Sequence, residues 1–184
     1  MRTLLSDPPP AELREALDEL LERRRQWGAD RHDEVWEGVL HMNPISHWRH
    51  AELQAQLLEL LRPLARAVGL RAVGPINLGE RNDYRVPDGA ITEPGPGALY
   101  NPTARLVIEI LSPGDESWRK LGFYAAHDVS ELLIVDPDQR RVHWLALDGA
   151  EYRPVERSGV IDLGCAELEA QLEWPAPDPS SDRR

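Results

Sequence analysis

The chain of 184 residues contains a single lysine, Lys120; the other 20 of its 21 positive side chains are arginine. A surface supplied by arginine has no need of one lysine. A site that requires a compact ammonium with three rotatable donors does, because a planar guanidinium cannot take its place. Cysteine is equally scarce. Cys165 stands alone, so no internal disulfide forms and no thiolate zinc site is available. No apolar run approaches the roughly 18 residues needed to span a bilayer. The opening Met1-Arg2-Thr3-Leu4-Leu5-Ser6-Asp7 has too short an apolar stretch for a secretory signal. These absences favour a reducing cytoplasmic setting without a membrane partner. Scarce Lys, Phe and Met beside abundant Arg and Ala resemble a GC-rich bacterial coding bias.

What is present is acidic. The net charge is −11, which argues against a general nucleic-acid coat. The excess lies at the ends: residues 1–34 carry −3 and residues 148–184 carry −5, leaving −3 on the long centre. A local basic groove of Arg71, Arg81, Arg85, Arg105, Arg119 and Lys120 is compatible with that distribution. A hydrophobic content of 41% suffices for one core domain with an added N-terminal helix.

The organisation follows from periodicity. Residues 11–27 place Leu13, Leu17, Leu20 and Leu21 at helical spacing, and Arg23-Arg24-Arg25 near the helix C-terminus complement its dipole. Residues 34–42 read as two short strands turning near Gly38. Ser46 can cap a second helix, residues 47–68, with Leu53, Leu57, Leu60, Leu61 and Leu64 on one stripe and Pro63 inside it. Residues 70–78 and 84–92 read as two strands, followed by a strand at 105–111, a helix capped by Asp115 or Ser117 and reaching His127, and strands at 131–135 and 141–147. The domain is expected over residues 34–174, with residues 1–33 as a helical extension and 175–184 as a disordered tail. The order helix, three strands, helix, strand predicts an α/β (α+β) fold, a mixed central sheet flanked by helices.

Glu109 is the most informative position. It sits in Leu106-Val107-Ile108-Glu109-Ile110-Leu111, a strand buried on both faces, where an ionised carboxylate is expensive unless paired or metal-bound. Alternation puts Val107, Glu109 and Leu111 on one face. An ion pair with Arg105 is the structural alternative. Asp88, in Arg85-Val86-Pro87-Asp88-Gly89-Ala90, is by itself an ordinary turn residue. With Glu109 on a neighbouring strand, its oxygens, a backbone carbonyl and waters would suit Mg²⁺ or Mn²⁺. Lys120, eleven residues after Glu109, shares a helix face with Tyr124 and with His127 or Asp128. His50 and Glu52 are candidates to border the site, and so is Glu37 between Trp36 and Gly38, which reads equally as an exposed hairpin residue.

Four strings occur in register: Arg85 to Ile91, Leu106 to Pro113, Asp115 through Lys120-Leu121 to Tyr124, and Leu133-Ile134-Val135-Asp136-Pro137. Together they resemble the Uma-two family of restriction-endonuclease-like proteins, within the PD-(D/E)XK nuclease superfamily, from about Val35 to Val155. The resemblance implies a restriction-endonuclease-like αβββαβ core, with Asp88 and Glu109 as metal carboxylates. The superfamily usually carries its lysine two residues after the second acid. That position is Leu111 here, and Lys120 matches the family's displaced lysine on the next helix. Glu37, His50, Asp115 and Tyr124 also match family positions.

The expectation is a Mg²⁺-dependent (or Mn²⁺-dependent) endonuclease acting on DNA as a homodimer. Asp88, Glu109 and the carbonyl of Ile110 would hold the metal, and Lys120 would position water. A non-catalytic binding module on the same core, or a hydrolase of a small phosphate ester, are the rivals.

Overall fold

The computed structural model describes residues 10–43, 47–95, 97–112 and 116–176. Ser46, Asp115 and the tail from residue 177 lie outside the described residues. Along the chain run α1 (Ala11–Gln26), β1 (Glu34–Trp36), β2 (Val39–His41), α2 (Trp48–Ala67), β3 (Arg71–Val73), β4 (Asn77–Glu80), β5 (Asp83–Arg85), β6 (Gly89–Thr92), β7 (Tyr100–Asn101) and β8 (Leu106–Ile110). A 3₁₀ turn (Ser117–Lys120), α3 (Leu121–Ala126), β9 (Glu131–Asp136), β10 (Arg141–Asp148), β11 (Glu151–Val155) and α4 (Cys165–Gln171) follow. No helix among the described residues is long and apolar enough to cross a membrane.

The strands form two sheets rather than one. The larger has the order β11-β10-β9-β8-β6-β3 and the smaller β2-β1-β5-β4-β7. Each of the two strands expected over 70–78 and 84–92 is split between the sheets. Gly74-Pro75 breaks the first, and Pro87, which has no donor for a ladder, breaks the second between β5 and β6. The helix expected after Asp115 begins as the 3₁₀ turn and becomes α3 only at Leu121.

Both faces of the larger sheet are covered, which explains why β8 and β9 are apolar along nearly their whole length. On one face, Leu53, Leu57 and Leu61 of α2 pack with Leu106, Ile108 and Ile110 of β8 and Leu168 of α4. On the other, Tyr124 of α3 and Leu78 of β4 meet Val107, Leu132, Ile134 and Leu145. The smaller sheet and α3 come very close at Gly79. A Cβ there would fall on the Asp83 carbonyl oxygen and lie 2.8 Å from the Phe123 ring, and φ is +115°. Only glycine lets α3 settle this near, and α3 follows directly on Lys120.

Candidate active site

Asp88 and Glu109 are brought together by strand register. β6 and β8 pair antiparallel with Gly89 opposite Ile108 and Ala90 opposite Val107. Asp88 directly precedes Gly89 and Glu109 directly follows Ile108, so the register brings the two residues to the same end of the ladder. Alternation puts Glu109 on the face that carries Val107, the face covered by α3. Pro87 ends regular pairing at this point and lets the Asp88 side chain turn back to the strand end. Its Oδ2 accepts from the Ile110 backbone N–H at 2.8 Å. In an extended strand the N–H and C=O of one residue point to the same edge. The Ile110 carbonyl is therefore directed toward the edge where Asp88 sits.

Helix α2 holds Asp88 from the side with residues one turn apart. His50 Nε2 lies 2.7 Å from Asp88 Oδ1, and Gln54 Nε2 donates to the Asp88 backbone carbonyl at 2.6 Å. His50 Nδ1 meets Ser112 Oγ at 3.3 Å. Glu109 is held from α3 and the turn before it. Its Oε1 accepts from Lys120 Nζ at 3.1 Å and from the Tyr124 hydroxyl at 2.5 Å. Lys120 also donates to Glu34 Oε1 at 2.9 Å. The solitary lysine thus ties β1 of the smaller sheet to β8 of the larger one. Glu34 is only 1% exposed, Glu109 4% and Lys120 9%, so this is a dry charge cluster.

Burial dominates the electrostatics. It raises the Glu109 carboxyl from 4.5 to about 7; the Lys120 ammonium and the Tyr124 hydroxyl pull it back down, while Asp88 pushes it further up. Burial alone would lower Lys120, but Glu109 and Glu34 outweigh it and hold the ammonium above its ordinary value. Tyr124 is raised well above its usual range, first by burial and then by Glu109 and Glu34, so it stays a donor. The result is a fixed ammonium beside a carboxyl that titrates near neutrality, an arrangement characteristic of functional sites.

Asp88, Glu109, Ile110, Lys120 and His50 of the sequence candidates converge here, while Glu52 lies exposed on α2. Glu37 does not join them. It occupies the β1–β2 turn with Gly38, at φ +50° and exposed, and its backbone N–H donates to Asp83 Oδ1. The buried acid from this hairpin is Glu34, three residues earlier, which also accepts from Trp36 Nε1 and the Val86 N–H. Glu34 and Gln54 were not foreseen. The available signals were the His50–Gln54 spacing of four on a helix and an acid at the start of a short apolar strand. Four of the six basic side chains that were compatible with a groove are placed elsewhere. Arg85 is sandwiched between the Trp36 and Phe123 rings, Arg119 pairs with Glu116, and Arg71 and Arg105 line a separate cavity of about 520 Å³ at the opposite end of the sheet.

No group of three or more His, Cys, Asp or Glu among the described residues could hold a metal ion. The donor set here is of another kind: two carboxylates on adjacent strands and a strand-edge carbonyl, all oxygen, as a hard divalent cation with several retained waters requires. The residues fit Mg²⁺ or Mn²⁺ in that sense.

The family model described as "Uma2: Putative restriction endonuclease" matches residues 17–175. The chain belongs to the Uma2 family. The match contains every residue of the cluster and extends beyond the region in which the sequence strings were found. Among solved structures, the Uma2 chain is similar to a putative nuclease belonging to DUF820 from Anabaena variabilis, with a TM-score of 0.59 and 17% identity over 76% of this chain and 90% of that one. That likeness supports the restriction-endonuclease-like fold. A DrdV–DNA complex also aligns, at a TM-score of 0.38 and 17% identity, over 64% of this chain and 10% of that one. Among curated proteins none matches.

Proposed function

We propose that this Uma2 protein is a metal-dependent endonuclease that hydrolyses DNA phosphodiester bonds, with Asp88, Glu109 and the Ile110 carbonyl as ligands of Mg²⁺ or Mn²⁺. The observation that carries the reading is the convergence of two carboxylates from paired strands with the chain's one ammonium. When bound, the cation would supply Lewis acidity at a phosphoryl oxygen and lower the pKa of a coordinated water. The other contributions come from the chain. His50 and Gln54 fix Asp88, so its carboxylate is presented in one orientation. Tyr124 fixes Glu109 through its hydroxyl. Lys120, desolvated and held by two acids, offsets negative charge developing on the phosphate and orients the attacking water. A two-fold dimer would present two such sites to opposite strands.

The net charge of −11 favours one alternative, a non-catalytic module on the same fold that binds a basic partner protein. Incubation with plasmid, single-stranded DNA and RNA in Mg²⁺ or Mn²⁺ separates the two, run beside Asp88→Ala and Lys120→Ala. Cleavage by the wild type and its loss in both variants supports the nuclease; equal cleavage by all three identifies a contaminant and removes the reading. A small phosphate ester panel in the same assay separates the esterase alternative.

A further inference from the structure

Eight of the eleven exposed large apolar side chains among the described residues fall between Leu13 and Trp48. Helix α1 is the extreme case. It has 16 residues and buries none of them. A helix of that length is marginal in water without packing of its apolar face. Leu13, Leu17 and Leu20 form a stripe at spacings of four and three, and they are 43% to 53% exposed. Arg24 anchors the C-terminal end of the helix, pairing with Asp33 and donating to the carbonyls of Ala29 and Asn43.

We infer that a second copy of this chain covers the patch, with α1 packed antiparallel on the partner's α1 about a two-fold axis between Leu17 and Leu20. The charge pattern of the helix selects this occupant and this direction. Residues 11–19 hold Glu12, Glu15, Asp18 and Glu19 against Arg14, net −3, while residues 20–26 hold Arg23, Arg24 and Arg25 against Glu22, net +2. Antiparallel pairing sets each acidic half beside the partner's basic half and opposes the helix dipoles; parallel pairing sets like against like. The two-fold axis brings Leu17 of one helix to Leu20 of the other.

The inference deepens the dimer in the proposed function, but it rests on the exposed face and not on the chemistry. Sedimentation velocity of the full chain over a concentration series needs no substrate, so its outcome is independent of the nuclease reading. The expected result is a reversible dimer of the 20.8 kDa chain, weakened at least tenfold in Leu17→Glu, with the same thermal melt for both chains at concentrations where both are monomeric. Helix α1 buries nothing, so that variant folds. Cysteine pairing reads the geometry separately: mixed Leu17→Cys and Leu20→Cys chains form the cross-link, and each variant alone does not. A chain that stays monomeric throughout overturns the inference. So does a dimer left undiminished by Leu17→Glu, or one that cross-links through Leu17→Cys alone.

Discussion

Two glutamates on neighbouring strands of the larger sheet are equally buried and differently used. Glu109, near the C-terminal end of β8, and Glu131, at the N-terminal end of β9, are each 4% exposed. Glu131 is saturated by neutral donors: Trp144 Nε1 at 2.8 Å, Ser158 Oγ at 2.5 Å and the Gly159 N–H at 2.6 Å. Those bonds fasten the loop after β11 to the sheet, and neither a cation nor a second acid is among its partners. Glu109 instead faces a lysine and a tyrosine, with Asp88 near enough to push its carboxyl up. Burial therefore does not tell the two carboxylates apart. The partners do: neutral donors on all sides lock a carboxylate, whereas a cation on one side and an acid on the other leave it suited to exchange a proton or a metal ion.

The comparison breaks most visibly in activity. Asp88→Asn and Glu109→Gln are each expected to lower metal-dependent cleavage by a factor of about 10³ or more, whereas Glu131→Gln, assayed under conditions where it is folded, cleaves like wild type. Lys120→Met is expected to reduce cleavage by about 10²–10³ and to cost about 3–5 kcal/mol in stability, because Glu34 and Glu109 lose their shared counter-ion. Lys120→Arg does not restore rate, since a guanidinium cannot fit the same two oxygens in that space. Urea unfolding reads the stability change.

Acidity sharpens the contrast further. Between pH 4.5 and about 7 the folded state holds a proton on Glu109 that the unfolded chain has released. Protons bound in the folded state exceed those in the unfolded state, so this group's contribution to stability falls as pH rises through that window and levels off above it, by about 3 kcal/mol at most. Lys120, raised above its ordinary value, keeps its contribution throughout and loses it only in strong alkali. Glu109→Gln is expected to flatten the slope measured by denaturant titration at several pH values. Smaller still, Gln54→Ala removes one bond to the Asp88 carbonyl and costs about 1 kcal/mol. Glu37→Ala stays within about 0.5 kcal/mol and retains activity.

Much of this site was legible in the sequence because strands announce themselves. One acid inside five aliphatic residues could be recognised without coordinates, and alternation assigned Glu109 to the face with Val107. The singular lysine drew notice by composition alone. What could not be read is which distant segment closes the cluster. Glu34 belongs to a hairpin on the other sheet, and a two-residue turn at Glu37-Gly38 decides which acid of that hairpin points inward; a difference of three residues moves the choice from Glu34 to Glu37. The two-sheet arrangement was hidden for a related reason. Pro75 and Pro87 lie inside stretches that read as single strands, and a proline in a strand does not say that its halves join different sheets. The α1 stripe is legible from its spacing, yet spacing states only that a face is to be covered, and among the described residues none buries it.

Direct metal binding tests the central assignment. Titration of Mn²⁺ into the protein, followed by electron paramagnetic resonance of the free ion, is expected to give one site in the wild type and in Glu131→Gln, weakened at least 100-fold in Asp88→Asn and in Glu109→Gln. Undiminished Mn²⁺ binding in either of those two variants, or no binding in the wild type, would contradict the placement of the cation between the two strands.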